Sequence, residues 1–505
     1  MHWRKAMEAA AGIAGRWTAE GGPGGAILLF DGSDIRAEAC GGLASLELAL
    51  PFTAGTAVRY ASISKHFCAA LLVRLASEGW LSLDDALGAY LPKLAPAQAG
   101  VTIARALDMT GGLPDALEAM WLLGVPWSAS LDRASLLRFA AGADALNFPP
   151  GSEVSYSNTG YRLVEAALAG LDIPFGETLH ARFFRPLGLS IRLPEDESEP
   201  VTDLAAGYYR TSSGWRRGRY GLHFSPSGGL AGSASDLVAW LQALMTRRAP
   251  AADLLAPLGV RRHLSDGRAT GYGLGLARSP LDGEIAIGHG GSLPGYKNHF
   301  LLLPGRGAGV AVLSNREDTD AHGIALTVLA ALTGAPAPEP ASGLLPQGLF
   351  VADGDPFWIE HEGGELSFLG ATETLIRGED GTAVSRSSAL PVSLRFAGDA
   401  IEGEIGHVAR RFRPVPADAE VSADFVGTWV CTGQNGRFAI TPGGFLATGA
   451  GPLHATLPLM PLGERSVLAD HTEGPRRQRA CLVLETNNTL RVVTSRCRML
   501  RFTRA

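Results

Sequence analysis

Three short groups of residues in this sequence could do chemistry together. The first is Ser62-Ile63-Ser64-Lys65. A serine hydroxyl is a poor nucleophile until a neighbouring base takes its proton. If Ser62 opens a helix, Lys65 follows three residues on, on the same face, and its amine reaches the hydroxyl. Lysine acts as that base only when burial or nearby cations lower its pKa. Backbone N–H groups at the helix start favour the negative charge that develops on an attacked carbonyl. Alone the tetrad is weak, because the same pattern describes a helix cap followed by a surface charge.

The second group is Tyr156-Ser157-Asn158, which follows the turn-forming Pro149-Pro150-Gly151. An ammonium near Tyr156 would favour its phenolate. The tyrosine could then share a proton with Lys65 or hand it to a leaving amine. Asn158 can donate to a substrate carbonyl and accept from the lysine. The third group is Gly288-His289-Gly290-Gly291-Ser292, just before a strand-like run. Gly290 and Gly291 allow close approach of a backbone edge. The N–H of Ser292 could join that of Ser62 as an oxyanion hole, with His289 adding a donor or a positive field.

These groups need a scaffold that brings residues 62, 156 and 289 together. Residues 62–78 carry Phe67, Leu71, Leu72 and Leu75 at helical spacing, and Gly79 stops the pattern. A second helix is predicted after Ser235. Strands are predicted over 25–30, 299–303 and 308–313. Strands come early and late with helices between, which predicts an α+β domain whose sheet joins the two ends of the block. The proline-rich stretch 333–348 reads as an extended linker, and 414–424 as a shorter boundary. The expected division is a catalytic domain over 1–333, a linker over 334–348, and two small antiparallel β-barrels over 349–416 and 417–505.

A chain of 505 residues is too long for one core, and two to four domains are expected. Its 46% hydrophobic and 19% charged content is that of an ordinary globular protein. The net charge of −6 and the lack of long basic runs argue against nucleic acid. The one basic cluster, Arg476-Arg477-Gln478-Arg479, reads as a solvated face. Five widely spaced cysteines suggest neither a disulfide framework nor a zinc site and favour a reducing cytoplasm; Cys68 falls on an apolar helix as core. The short apolar stretch at the start is broken by Glu8, so no signal peptide is expected, and no apolar run reaches the ~18 residues of a membrane helix.

Ser-x-x-Lys is the nucleophile motif of β-lactamases and penicillin-binding proteins. Joined to Tyr-x-Asn and His-x-Gly, it makes residues 20–330 resemble the penicillin-recognising serine hydrolases, the family of class C β-lactamases and serine D,D-carboxypeptidases. The strings Leu107-Asp108-Met109-Thr110-Gly111-Gly112 and Gly271-Tyr272-Gly273-Leu274-Gly275 are similar to the same family. With His-Gly-Gly as third motif and two barrels behind it, the layout resembles the D-aminopeptidase branch. That resemblance implies release of an N-terminal D-residue, such as D-alanine, from short peptides, amides or esters. It also implies a cytoplasmic homodimer with no metal or other cofactor, and inhibition by some β-lactams.

Where the family usually has Lys and Thr in the third motif, this chain has His289 and Gly290. Two carboxylate-binding groups are thereby lost, which suits a substrate that extends past the scissile bond. The branch uses a loop from the last barrel to close the cleft. Residues 468–474 are the candidate here, with Asp470 expected at the substrate ammonium and Glu473 second. The rival readings are an esterase, a D,D-carboxypeptidase or a β-lactamase of the same fold, and a catalytically silent protein that binds cell-wall peptides.

Overall fold

The apolar run Gly25–Asp31 (β1) is buried at every position but the last, so both of its faces must be covered. Alternation sorts its side chains. Ala26, Leu28 and Phe30 enter one cluster with Phe67, Leu71, Leu237 and Trp240. Ile27 and Leu29 enter another with Ala6, Ala10, Trp17, Leu326 and Leu329. The structure, a computed structural model, describes residues 1–505 apart from 354–355, 432–435, 443 and 449–454.

Among the described residues, β1 belongs to a six-stranded sheet with β2 (Ile35–Gly41), β3 (Ala277–Leu281), β4 (Glu284–Leu293), β5 (Tyr296–Leu303) and β6 (Ala308–Ser314). The order is β2-β1-β6-β5-β4-β3. Pairing of β1 with β6 joins the start of the block to its end. On one face lie α1 (Trp3–Glu20) and α6 (Ala321–Thr333). The opening residues were legible only as too polar for a signal, yet Ala6, Ala10, Ile13, Ala14 and Trp17 give α1 its buried stripe. On the other face lie α2 (Ser64–Ser77) and α5 (Ala234–Met245). The helix predicted after Ser235 starts two residues earlier, at Ala234, because Ser233 and Asp236 form a capping box. Two further helices, α3 (Ala116–Leu122) and α4 (Thr159–Gly170), complete the surroundings of the site.

Ser62 does not open an α-helix. It sits in a single 3-10 turn, Ala61–Ile63, ahead of α2. The reason is Ala61, whose φ of 52° lies in the left-handed region that alanine disfavours.

Beyond the α+β domain lie two C-terminal β-sheet domains. The first runs from strand Gly348–Ala352 to strand Val408–Pro414, which returns to pair with it. The second runs from Gly427–Cys431 to Leu500–Arg504, which pair over two residues. Ala341 and Leu345, from the proline-rich stretch, are buried in the core of the first. Leu468, Cys481 and Val493 of the second sheet join that same core.

One buried carboxylate ties the three parts together. Glu153 takes Arg498 of the second sheet at 2.8 Å and Arg410 of the first at 3.5 Å, with all three side chains at most 6% exposed. Among the described residues no helix is long and apolar enough to cross a membrane.

Candidate active site

Lys65 is fully buried. Its Nζ meets three oxygens: Ser62 Oγ at 3.2 Å, Asn158 Oδ1 at 2.8 Å, and the Ser227 carbonyl. Two of these are carbonyl oxygens, which only accept. A neutral amine satisfies both with its two protons and turns its lone pair to the Ser62 hydroxyl. Burial drives the Lys65 pKa well below the ordinary value; nearby Asp115 opposes the shift, and the Arg496 and Arg162 charges add to it. Burial favours the uncharged amine, and the three oxygens leave Ser62 within reach of its lone pair.

Each partner is held by a local device. The Ser64 hydroxyl accepts from the Leu230 N–H at 3.0 Å, and the Tyr60 N–H donates to the Leu230 carbonyl at 2.8 Å. These bonds fix residues 225–230 against the start of α2, which presents the Ser227 carbonyl to Lys65. Asn158 precedes α4 and gives both its backbone N–H and its Nδ2 to Asp115 Oδ2, at 2.7 and 2.8 Å. The other Asp115 oxygen caps α3 through the N–H groups of Leu117 and Glu118. One Nδ2 proton of Asn158 is left for a substrate carbonyl.

Tyr156 shares the cleft with Ser62, and Lys65 Nζ lies 4.8 Å from its ring centre. The expected phenolate does not form. Burial raises the tyrosine pKa, and neither Ser62 nor the Arg496 charge offsets it. Tyr156 is a neutral phenol with a proton to give.

The third group lies on β4 beyond the reach of β3, whose pairing ends at Gly288. A Cβ at Gly291 would stand 2.0 Å from the Tyr60 carbonyl oxygen, so only glycine lets β4 lie against the turn that carries Ser62. The Ser292 carbonyl faces the open edge, where Arg476 reaches it. In an antiparallel strand the N–H and C=O of one residue point the same way. The Ser292 N–H therefore also points into the cleft.

His289 departs from expectation. Its Nδ1 lies 2.6 Å from the Gly290 carbonyl, which only accepts, so Nδ1 carries the proton. Nε2 then accepts from the Tyr272 hydroxyl at 2.8 Å. Burial pushes its pKa down to about 3, against the Gly290 bond. His289 supplies neither a free donor nor a positive field; it fixes Tyr272 and the Gly290 peptide.

The cleft encloses about 630 Å³ and is lined by Ser62, Tyr156, Asn158 and residues 289–293. Both C-terminal sheets contribute to it. Glu365, Glu373 and Arg386 come from the first, Arg476, Ser495, Arg496 and Arg498 from the second. Asp470 is not brought to the cleft. Residues 466–473 form a strand rather than a loop, and the Asp470 carboxylate bonds Arg477. The Glu473 side chain lies outside the described residues.

The basic cluster is not a solvated face either. Strand alternation puts Arg477 and Arg479 on one side, both on Glu360, and Arg476 on the other. Sequence reasoning missed Asp115, Ser227, Arg476 and Arg496. Asp115 alone had a local signal, because the string that begins at Leu107 runs on through Leu113-Pro114 to end at Asp115.

Known proteins match this arrangement. The Beta-lactamase family model matches residues 9–335, well over half of the chain. A D-aminopeptidase of Gluconobacter oxydans is 29% identical over 331 residues, which are 65% of this chain and 62% of that protein, less than two thirds of its length. A D-aminopeptidase of Cereibacter sphaeroides is 26% identical over 418 residues, 80% of this chain and 78% of that one. Among solved structures, the octameric penicillin-binding protein homologue from Pyrococcus abyssi superposes with a TM-score of 0.59 at 21% identity, covering 98% of this chain and 99% of that one. The D-amino acid amidase from Ochrobactrum anthropi SV3 gives 0.56 at 23% identity over 65% of this chain and 99% of its own. At those identities the superpositions establish the fold. The catalytic block, with its sheet and its Ser62–Lys65 turn, belongs to the Beta-lactamase family.

Proposed function

We propose that the chain is a serine hydrolase that releases N-terminal D-residues through an ester on Ser62. One observation carries the hydrolase reading: a buried Lys65 amine with two carbonyl acceptors and its remaining position on the Ser62 hydroxyl. The D-aminopeptidase relatives support the substrate class.

In this reading Ser62 Oγ attacks the substrate carbonyl as its proton passes to Lys65. The Ser62 and Ser292 N–H groups hold the oxyanion, and Asn158 Nδ2 steadies the substrate. Tyr156 gives its proton to the leaving amine and regains one from the Lys65 ammonium. Water then attacks the ester, and Lys65 takes the water's proton as Ser62 recovers its own.

An aminopeptidase needs a carboxylate for the α-ammonium. Glu373 of the first sheet suits this better than Asp470, because an incoming ammonium would draw off the proton that burial holds on its carboxyl. It lines the cleft with no basic partner among the described residues, whereas Asp470 is spent on Arg477. We take the catalytic unit as 1–333 and both C-terminal sheets as closed barrels; the return of each last strand to its first supports the latter. A cytoplasmic homodimer follows from the resemblance, and sedimentation of the purified chain as two copies tests that assembly.

The decisive assay compares D-alanine p-nitroanilide with its L-isomer and with the N-acetylated D-compound. D-selective turnover that acetylation abolishes is expected, with a loss of at least about 10³-fold in Ser62→Ala. Turnover indifferent to chirality or to the free amine would leave a family hydrolase of another specificity.

A further inference from the structure

Arg476 opens the strand Arg476–Thr486, on the face opposite Arg477 and Arg479. Its guanidinium lies 4.4 Å from the centre of the Trp127 ring. Its Nη2 is 3.3 Å from the Ser292 carbonyl and 3.5 Å from Ser292 Oγ, both long contacts. Its Nε is buried with no acceptor, and no carboxylate among the described residues forms an ion pair with it. Burying a guanidinium with such weak contacts is costly, and Arg476 lines the cleft, so its N–H groups mark where an anion belongs.

The nearby acids are engaged elsewhere. Glu317 takes Lys297 and the Gly295 N–H, and Asp318 takes Arg316. Glu118 takes Arg496. Ser292 Oγ accepts from Lys297 Nζ at 2.8 Å, which leaves its own proton to donate. A planar guanidinium with two adjacent N–H groups matches a carboxylate in a way an ammonium does not. Arg496, 4.8 Å from the Tyr156 ring centre, keeps the other side of the reacting centre cationic.

We infer that Arg476, helped by the Ser292 hydroxyl, anchors a substrate carboxylate held within one residue of the reacting carbonyl. The third motif has lost its carboxylate-binding side chains, and the second C-terminal sheet supplies the replacement. Resting on the aminopeptidase reading, this names the substrate class: short D-aminoacyl peptides in which the residue that leaves as the amine carries a free carboxylate, ahead of amides and simple esters. The other source of the same group is the side chain of an acidic D-residue.

The test compares D-Ala-Gly with D-Ala-glycinamide, and D-Asp amide with D-Asn amide, in the wild type, Arg476→Gln, Arg476→Lys and Arg477→Gln. The wild type should favour the free acid by kcat/KM, mainly through KM. Arg476→Gln should cut that acid-to-amide ratio about 10- to 100-fold, Arg476→Lys should restore part of it, and Arg477→Gln should not move it. A fall confined to the D-Asp/D-Asn ratio would support the anchor with the side chain as its ligand. The same pairs are titrated calorimetrically into Ser62→Ala and its Arg476→Gln double variant, which needs no turnover. Arg476-dependent preference for acids there, without D-selective turnover in the wild type, would support the anchor and sink the aminopeptidase reading. Equal ratios and equal affinities with and without Arg476 overturn the anchor, whatever the enzyme hydrolyses.

Discussion

The two C-terminal domains are both antiparallel sheets in their described residues, but they bring opposite chemistry to the cleft. The first contributes Glu365 and Glu373, with Arg386 already bound to Asp320. The second contributes Arg476, Arg496 and Arg498. They also attach differently. The first adds to its Arg410 contact and its Ser388 bonds a surface pair, Arg386–Asp320, whose carboxylate side chain is 59% exposed. The second inserts residues 494–498 beneath Tyr156, where the Arg496 carbonyl accepts from the Asp115 N–H at 2.7 Å and from Asn147 Nδ2 at 2.9 Å. A repeated scaffold therefore does not imply a repeated role, since function lies in the residues at the strand ends.

The largest effect that probes this contrast is at the second attachment. Arg498→Met leaves Glu153 buried with only the longer Arg410 contact, and should cost about 3–5 kcal/mol in urea unfolding. Arg386→Met at the first attachment should cost no more than about 1 kcal/mol, because its partner is solvated. Equal costs would erase the distinction between the two attachments.

The next effect concerns the acidic wall. Burial raises the Glu373 pKa from 4.5 to about 8, against the pull of Arg386. Between those values the folded chain keeps a proton that the unfolded chain has lost. Stability from this group is therefore present below pH 4.5 and declines as pH rises toward 8. Glu373→Gln should flatten that decline by roughly 2 kcal/mol after allowance for partial exposure, read as melting temperature against pH. The variant should also raise KM for substrates with a free amine, while an unchanged KM would return the ammonium contact to another residue.

The smallest effect is expected at Asp470. Asp470→Asn weakens only the pair with a half-exposed Arg477 and should shift stability by less than about 1 kcal/mol, with kcat/KM unchanged. A large loss of activity would restore Asp470 to the site.

These residues also show what the sequence could disclose. Ser62, Lys65, Tyr156, Asn158 and Gly291 stand in short motifs, because each is placed by its own turn, strand or helix start. The Ser227 carbonyl meets Lys65 across more than a hundred residues with no local pattern to betray it, and Asp115, although it closes a family-like string, acts only through Asn158. The basic cluster was read as one face, although the period of two in a strand already splits Arg476 from Arg477 and Arg479. The sheet order was legible in outline from strands at both ends of the block. Helix α1 was not sought, because its alanine-rich stripe was read only for its bearing on export.

The insertion of residues 494–498 has a consequence for the order in which the molecule comes into being. A ribosome delivers the nucleophile early and the segment that roofs Tyr156 more than four hundred residues later. Until then Lys65 lacks the neighbouring Arg496 charge, and Tyr156 is open to water on that side. A nascent catalytic block can fold around its own sheet, since domains generally fold as units during synthesis. Such a block already holds Ser62, Lys65 and Asn158 together, but the wall of the cleft built by Arg476, Ser495 and Arg496 arrives only with the second sheet.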